Sequence, residues 1–220
     1  VVSHMDKTKY QPVMIGISQA GDWFYYTGPT EKIEEDTWLN GRDCIPAAIS
    51  PNRSDSGLFI FQDDGVRKIR LDAVFPVLHG KNGEDGTIQG LFELMDIPYV
   101  GCRVLGSSVC MDKAYTKIVF EHAGIKQVPW VTVEVFEYAE GPEKIKNTVE
   151  EKLKYPVFVK PSNAGSSVGI TKCKSRETLS KAFDDAFAVD RRVVVEQGVE
   201  NPKEIEVAVL GNDCPVASCS

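Results

Sequence analysis

The chain is short of histidine, of metal-type cysteine spacing and of positive charge. Three histidines in 220 residues, and no Cys-x-x-Cys, make a Cys/His zinc site improbable. The six cysteines, Cys44, Cys102, Cys110, Cys173, Cys214 and Cys219, are scattered. They read as small buried thiols of a reducing compartment, with the cytoplasm as the expected location. Lys and Arg number 25 against 32 Asp and Glu, a formal net charge of −7. That balance argues against nucleic acid or an anionic membrane as a partner, so any anionic ligand has to be met by local positive charge. No apolar run approaches a membrane span, and no charged-then-apolar leader opens the chain. There is no internal repeat. What remains is ordinary globular composition, 42% hydrophobic and 26% charged, with length for one large domain or two small ones.

The stretch Tyr155 to Ile170 organises the rest. Val157 to Val159 is a short apolar run of buried-strand type that delivers Lys160 at its end. Pro161, with no N–H to donate, is expected to stop the ladder. A loop follows with Gly165 and Gly169 around Ser166 and Ser167, and Val168 to Cys173 returns as a strand. Small residues allow close backbone approach, and successive N–H groups in such a turn can cradle an anion. An ordinary hairpin with a flexible Gly/Ser tip explains the same residues equally well.

Elsewhere the pattern predicts strands at Pro12–Ile17 and Trp23–Tyr26, the aromatics of the latter being core rather than a stacking surface. Glu31–Trp38 reads as an exposed helix or loop. Leu58–Phe61 and Val66–Leu71 form a hairpin around Asp63-Asp-Gly65. Ala73–Leu78 is a buried-type strand that leads through a Gly-rich loop into a helix with Ile88, Leu91, Phe92 and Met95 on one face, Asp85 or Thr87 capping it. Strand, Gly-rich loop, helix is where ligands bind in open α/β sheets, and His79, Lys81, Glu84 and Asp85 lie there. Solvent-facing charges on a tight connection are the alternative. Ile97–Val100 is another short strand. A helix after Gly106-Ser-Ser108 carries Met111, Tyr115, Ile118, Val119 and His122 and closes at Gly124. Val128–Phe136, Arg192–Glu196 and Glu204–Leu210 are further strands. Helices start near Pro142 and near Ser175.

Three motifs stand in one order: Leu78-His-Gly-Lys-Asn-Gly-Glu-Asp-Gly86, Cys110-Met-Asp-Lys113, and Val159-Lys-Pro-Ser162 followed by Gly165-Ser-Ser-Val-Gly169. Together they resemble the D-alanine–D-alanine ligase family of ATP-grasp enzymes over essentially the whole chain. The detail between them is more similar to the D-alanine–D-serine ligases of vancomycin-resistance clusters. The resemblance implies an α/β fold in three parts. These are an N-terminal open parallel-sheet, Rossmann-like domain over residues 1–104, a central α+β ATP-grasp subdomain over 105–196, and the start of a C-terminal domain over 197–220.

It also implies an ATP-dependent ligase for peptidoglycan precursors. ATP phosphorylates one D-alanine carboxylate, and the amine of a second D-amino acid attacks the acyl phosphate. Lys113 and Lys160 would contact phosphates, and Gly165, Ser166, Ser167 and Gly169 would close over the γ-phosphate. Ser166 would reach toward the first substrate, with His79 and Glu84 near its carboxylate. Glu196 would receive the adenine amino group, Gln197 to Val199 would form the hinge beside it, and Glu204 would hold the ribose. Gly198, where relatives carry a bulkier residue, loosens that wall. Mg²⁺ and a homodimer are implied as well. The family's Mg²⁺ ligands and its first ammonium-binding Glu have no counterpart here. A chain truncated at both ends, inactive alone, is therefore the expectation, with D-Ala against D-Ser left open. The competing readings are another ATP-grasp carboxylate–amine ligase and a non-catalytic nucleotide-binding remnant.

Overall fold

The computed structural model describes residues 1–39 and 41–218. The chain divides into two units, Val1–Met111 and Asp112–Ser220. In the first, a 3₁₀ turn at Val2–His4 precedes β1 (Met14–Ile17), β2 (Trp23–Tyr26), a single-turn α1 (Glu31–Glu34), β3 (Cys44–Ile49), β4 (Gly57–Gln62), β5 (Gly65–Arg70), α2 (Thr87–Met95) and α3 (Val104–Met111). The five strands lie side by side in chain order, every pair antiparallel. The open parallel sheet is thus corrected. Among the described residues of this unit the only parallel pairing is the single bridge Val74↔Tyr99. A two-residue connection such as Asp63-Asp64 can only reverse a strand, whereas a parallel pair needs a crossover of a dozen residues or more.

Two strands expected here are reduced to that bridge. Ala73–Leu78 is interrupted by Pro76, and Phe75 and Val77 are exposed. Ile97–Val100 contributes only Tyr99. In turn β3 was hidden, because Pro46 sits inside it. The core of this unit is Ala47, Leu58, Ile60 and Leu71 from the sheet region against Ile88, Phe92, Met95 and Ile97 of α2 and its exit. The α2 residues recur at i, i+4 and i+7, which puts them on one helical face. Gly86 is the N-cap, and Asp85 outside it accepts the Thr87 N–H at 3.0 Å.

The second unit runs α4 (Lys113–His122), β6 (Trp130–Glu134), α5 (Val135–Glu140), α6 (Pro142–Lys152), β7 (Val157–Pro161), β8 (Thr171–Cys173), α7 (Leu179–Phe187), β9 (Arg192–Gln197), β10 (Val209–Leu210) and β11 (Val216–Ala217). A 3₁₀ turn at Arg176–Thr178, with Ser175 as its N-cap, leads into α7, whose own N-cap is Thr178. The helix expected after Gly106-Ser-Ser108 is two helices. Asp112 is extended and accepts the N–H groups of Ala114 and Tyr115, so it starts α4 rather than continuing α3. Tyr115, Ile118 and Val119 of the anticipated apolar face are exposed. The strand expected to run to Phe136 ends at Glu134, where Glu134 and Glu137 form a capping box that begins α5. Glu204–Leu210 is a strand only at Val209–Leu210, paired with β11.

The central sheet has the order β6-β9-β7-β8 with all pairs antiparallel. Pro161 does not stop the ladder. It is the last residue of β7, opposite Val193. Strand period two sorts these residues by parity. Val131, Val133, Val157, Val159, Val193 and Val195 pack inward with Val149 and Leu153 and with Leu179, Ala182, Phe183 and Ala186 of α7. Each such buried side chain contributes about 1.5–3 kcal/mol relative to exposure. The even-numbered neighbours take the opposite face, and that face carries the charged residues. Cysteines differ from expectation: of those described only Cys173 is buried, and all five are free. No helix among the described residues is long and apolar enough to cross a membrane.

Candidate functional site

On the even face of the four-stranded sheet, register places Phe158 of β7 opposite Glu196 of β9, with Trp130 of β6 on the other side of Glu196. Lys160, two residues along β7, reaches back and donates to Glu196 Oε2 at 2.7 Å. The other oxygen, Oε1, meets Lys117 Nζ of α4 at 3.3 Å. Burial pushes the Glu196 carboxyl up, but the hydrogen bond and charge of Lys160, joined by Lys117, outweigh it and hold the group below its usual range. One turn before Lys117, Lys113 is half-buried, and its ammonium donates to the Ala164 carbonyl at 2.6 Å. Burial, then the like charge of Lys160, hold Lys113 below the usual lysine value. Two ammonium groups therefore pair with one carboxylate and a third acts on it at longer range, a local excess of positive charge on a chain that is acidic overall.

The position of Lys113 is set by a polar knot behind it. The Ser162 hydroxyl donates to Asp112 Oδ1 and accepts the Ala114 N–H at 3.2 Å, while the Lys113 N–H goes to the Ser162 carbonyl at 2.9 Å. Arg192 pairs with Glu134 and reaches Asp112 at 3.4 Å. These contacts tie the start of α4 to the end of β7.

From there the chain enters the Gly-Ser-Ser loop. Ser166 and Ser167 both have positive φ, 49° and 59°, and both are exposed. Val168 N–H turns back to Gly165 and Ile170 N–H to Ser167, at 3.2 and 3.3 Å. Among the described residues the N–H groups of Ser166, Ser167 and Gly169 have no partner. Gly169, at φ 69°, closes the loop where an added Cβ would sit 2.8 Å from Pro161 Cγ and 3.0 Å from Val189. The loop thus offers unpartnered N–H groups from a base that is packed.

The expected hinge follows β9. Gln197 is used structurally: its side-chain oxygen accepts the Lys154 N–H at 3.0 Å and its own N–H goes to Pro129. Gly198 lies against Pro156, whose carbonyl takes its N–H at 2.7 Å. Val199 is exposed and lines an open cleft of about 630 Å³ with Tyr155, Pro156, Lys172 and Lys174. Glu204 is exposed. In the first unit, His79 is exposed, and Glu84 is turned onto the Gly80 N–H of its own loop. Asp85 accepts the Asn82 and Thr87 N–H groups. The structure thus brings Lys113, Lys160, Glu196 and the base of the Ser166–Ser167 loop together in one unit, and His79 with Glu84 on one loop of the other.

Two models of the same family match the chain. The N-terminal part of D-ala D-ala ligase matches residues 1–102, and the C-terminal part matches residues 119–220. The chain belongs to the D-alanine–D-alanine ligase family. A D-alanine–D-alanine ligase of Ruminiclostridium cellulolyticum is 48% identical over 225 residues, which cover 99% of this chain and 60% of that protein. One from Staphylococcus epidermidis is 46% identical, over 98% of this chain and 57% of the relative. Among solved structures, the VanG D-Ala:D-Ser ligase from Enterococcus faecalis matches with a TM-score of 0.86 and 42% identity, over 98% of this chain and 61% of its own. The D-alanine–D-alanine ligase from Coxiella burnetii matches with a TM-score of 0.79 and 34% identity. The chain spans about 60% of the length of the curated relatives it matches.

The ATP-grasp fold of the D-alanine–D-alanine ligase family is therefore present in this mixed helix–sheet arrangement. A divalent cation does not fit the lysine cluster, since its one carboxylate already holds two ammonium groups. No group of three or more His, Cys, Asp or Glu that could hold a metal exists among the described residues. Sequence reasoning missed Lys117. The available signal was its spacing: i+4 from Lys113 puts it on the same face of the helix.

Proposed function

We propose that this chain holds the ATP-binding part of an enzyme that joins D-alanine to a second D-amino acid for peptidoglycan precursors. The observation that carries the reading is the meeting of Lys113, Lys160 and the Ser166–Ser167 loop. The Lys113 ammonium sits on the Ala164 carbonyl at the entrance to the loop, and Lys160 projects from the strand that leads into it. That arrangement suits a polyphosphate, because fixed donors in a partly dry site neutralise phosphoryl charge without reorganising.

In this reading a D-alanine carboxylate oxygen attacks the γ-phosphorus and ADP leaves. The amine of the second D-amino acid then attacks the acyl carbon, and phosphate leaves as the peptide bond forms. Lys113 and Lys160 hold the transferring group, and Gly165 to Gly169 cover it. Glu196 takes the adenine amino group, with Gln197 and Val199 beside the base and Glu204 on the ribose. His79 and Glu84 serve the first substrate. Mg²⁺ belongs to this reading through residues other than the lysine cluster, as does a homodimer. So does the three-part division at residues 104 and 196.

The test on this chain is nucleotide capture. Calorimetric titration with ATP is expected to show one site, and Lys160→Ala to weaken it at least tenfold, about 1.4 kcal/mol. With D-alanine, D-serine and Mg²⁺ added, this chain alone is expected to form no dipeptide, and dipeptide above a no-protein control would show that it does more than hold the nucleotide. Unchanged ATP affinity in Lys160→Ala would remove the phosphate assignment.

A further inference from the structure

We infer that Lys117 is the standing counter-ion of Glu196, a positioning residue that lets Lys160 leave that carboxylate for a phosphoryl oxygen. The inference rests on the nucleotide reading only in naming the anion that draws Lys160 away.

Glu196 is enclosed, with 15% of its side chain exposed, and its two oxygens serve two different lysines. Lys160 holds Oε2 at 2.7 Å and Lys117 holds Oε1 at 3.3 Å. If Lys160 were the sole partner, turning it to a phosphate would strand a buried carboxylate, and an unpaired buried charge costs far more than the pair is worth. The second lysine removes that obstacle.

The two lysines are not placed alike. Lys117 is the more enclosed, at 11% side-chain exposure against 23% for Lys160, and its ammonium lies 5.7 Å from the Trp130 ring centroid. Trp130 is the cross-strand partner of Glu196, so Lys117 is held between an aromatic face and the carboxylate. Lys160 has the matching contact, 5.6 Å from the ring centroid of Phe158, so the difference between the two lysines lies in enclosure and place rather than in the aromatic contact. Lys160 instead stands one residue before the end of β7, where the chain turns toward the Gly-Ser-Ser loop. Of the two cations, Lys117 is built to stay and Lys160 to turn.

The remaining neighbours agree. Glu196 is faced by Phe158 and Lys160 from β7, by Trp130 from β6, and by Lys117 and the more distant Lys113 from α4. Asp112 and Asp190 act on Lys113, while Glu196 is the carboxylate paired with Lys117 among the described residues. When Lys160 turns away, Oε2 is left as an open acceptor while Oε1 stays paired. One acceptor lone pair facing a nucleobase amino group is what the adenine role of Glu196 calls for. Lys117 would thereby serve both exchanges, the release of a cation and the arrival of a neutral donor.

The experiment has two independent readouts on the 220-residue chain. The first follows the Glu196 carboxyl by ¹³C NMR through acid titration in wild type, Lys160→Met, Lys117→Met and the double variant. In Lys160→Met the carboxyl is expected to stay below the ordinary value of 4.5, and in the double variant to rise above it. A rise in Lys160→Met equal to that in the double variant would overturn the assignment, whatever the chain binds. The second is ATP affinity. Lys117→Met is expected to weaken ATP about tenfold and Lys117→Arg to recover most of that loss, since charge rather than shape is needed. The loss in Lys117→Met should grow as pH rises through the carboxyl titration, because only an ionised Glu196 needs a counter-ion. Wild-type affinity in Lys117→Met would overturn the positioning role. If wild type binds no ATP, the nucleotide reading and that role fall together, while the titration still decides whether Lys117 is the counter-ion.

Discussion

Two loops, one in each unit, have similar glycine content and opposite hydrogen-bond economies. The loop from His79 to Gly86 consumes its own donors. Glu84 takes the Gly80 N–H, Asp85 takes those of Asn82 and Thr87, Gly80 accepts from Gly83 and Glu84, and Gln89 caps the Gly83 carbonyl at 2.8 Å. The loop from Gly165 to Gly169 has no carboxylate of its own and leaves the N–H groups of Ser166, Ser167 and Gly169 open. The difference lies in where acid is placed, not in how much glycine there is. A Gly-rich loop with internal carboxylates braces itself and presents side chains. One without them presents backbone, and backbone N–H groups attract anions.

The sharpest way to break this comparison is to add a single methyl to each loop. Gly169→Ala meets both the left-handed φ of 69° and the contact with Pro161 and Val189, so it should cost about 2–4 kcal/mol of unfolding free energy. Gly80→Ala meets only the φ of 74°, with open space around it, and should cost about 1–2 kcal/mol. Denaturant unfolding of the two variants decides it. Equal losses would mean that the base of the second loop is not packed as described.

A smaller effect is expected in amide exchange. Without ligand, the amides of Asn82, Glu84 and Thr87 should exchange roughly tenfold or more slowly than those of Ser166, Ser167 and Gly169, because only the former are hydrogen-bonded. A non-hydrolysable ATP analogue should then slow the second set and leave the first unchanged. Equal exchange in the free protein would erase the distinction between the loops.

The smallest effect is electrostatic. Because Glu196 is held below 4.5 in the folded state, the unfolded chain binds more protons between the two values. Its contribution is therefore complete above about pH 5 and lost as pH falls through the folded value. Thermal unfolding of wild type and Glu196→Gln should converge on acidification. A gap that widened at low pH would reverse the sign of the assigned interaction.

Period and turn chemistry made much of this fold legible. The hairpin around Asp63-Asp-Gly65, helix α2, and strands β7 and β9 all stand where alternation or 3.6-residue spacing places them. What escaped was set by single polar residues acting at a distance. Asp112 splits one apparent helix by capping the second half and holding Ser162, 50 residues away. Lys117 matters only because β9 delivers Glu196 to it. A proline, Pro46, disguised a real strand, while the apolar run Ala73–Leu78 imitated a buried one. Pairwise contacts across long loops leave no periodic trace.

The strand order of the second unit has a consequence for how the chain is made. Among the described residues β6 pairs only with β9, and their facing residues Glu134 and Arg192 are 58 positions apart. During synthesis at about 5–20 residues per second, Val131 and Val133 therefore wait roughly 3–12 s for the strand that covers them. Throughout that delay the nascent chain displays an unpaired β edge, a surface prone to join neighbouring chains. Ribosome pausing anywhere between α5 and β9 would prolong that exposure. A product released before Val195 would lack the centre of its own sheet.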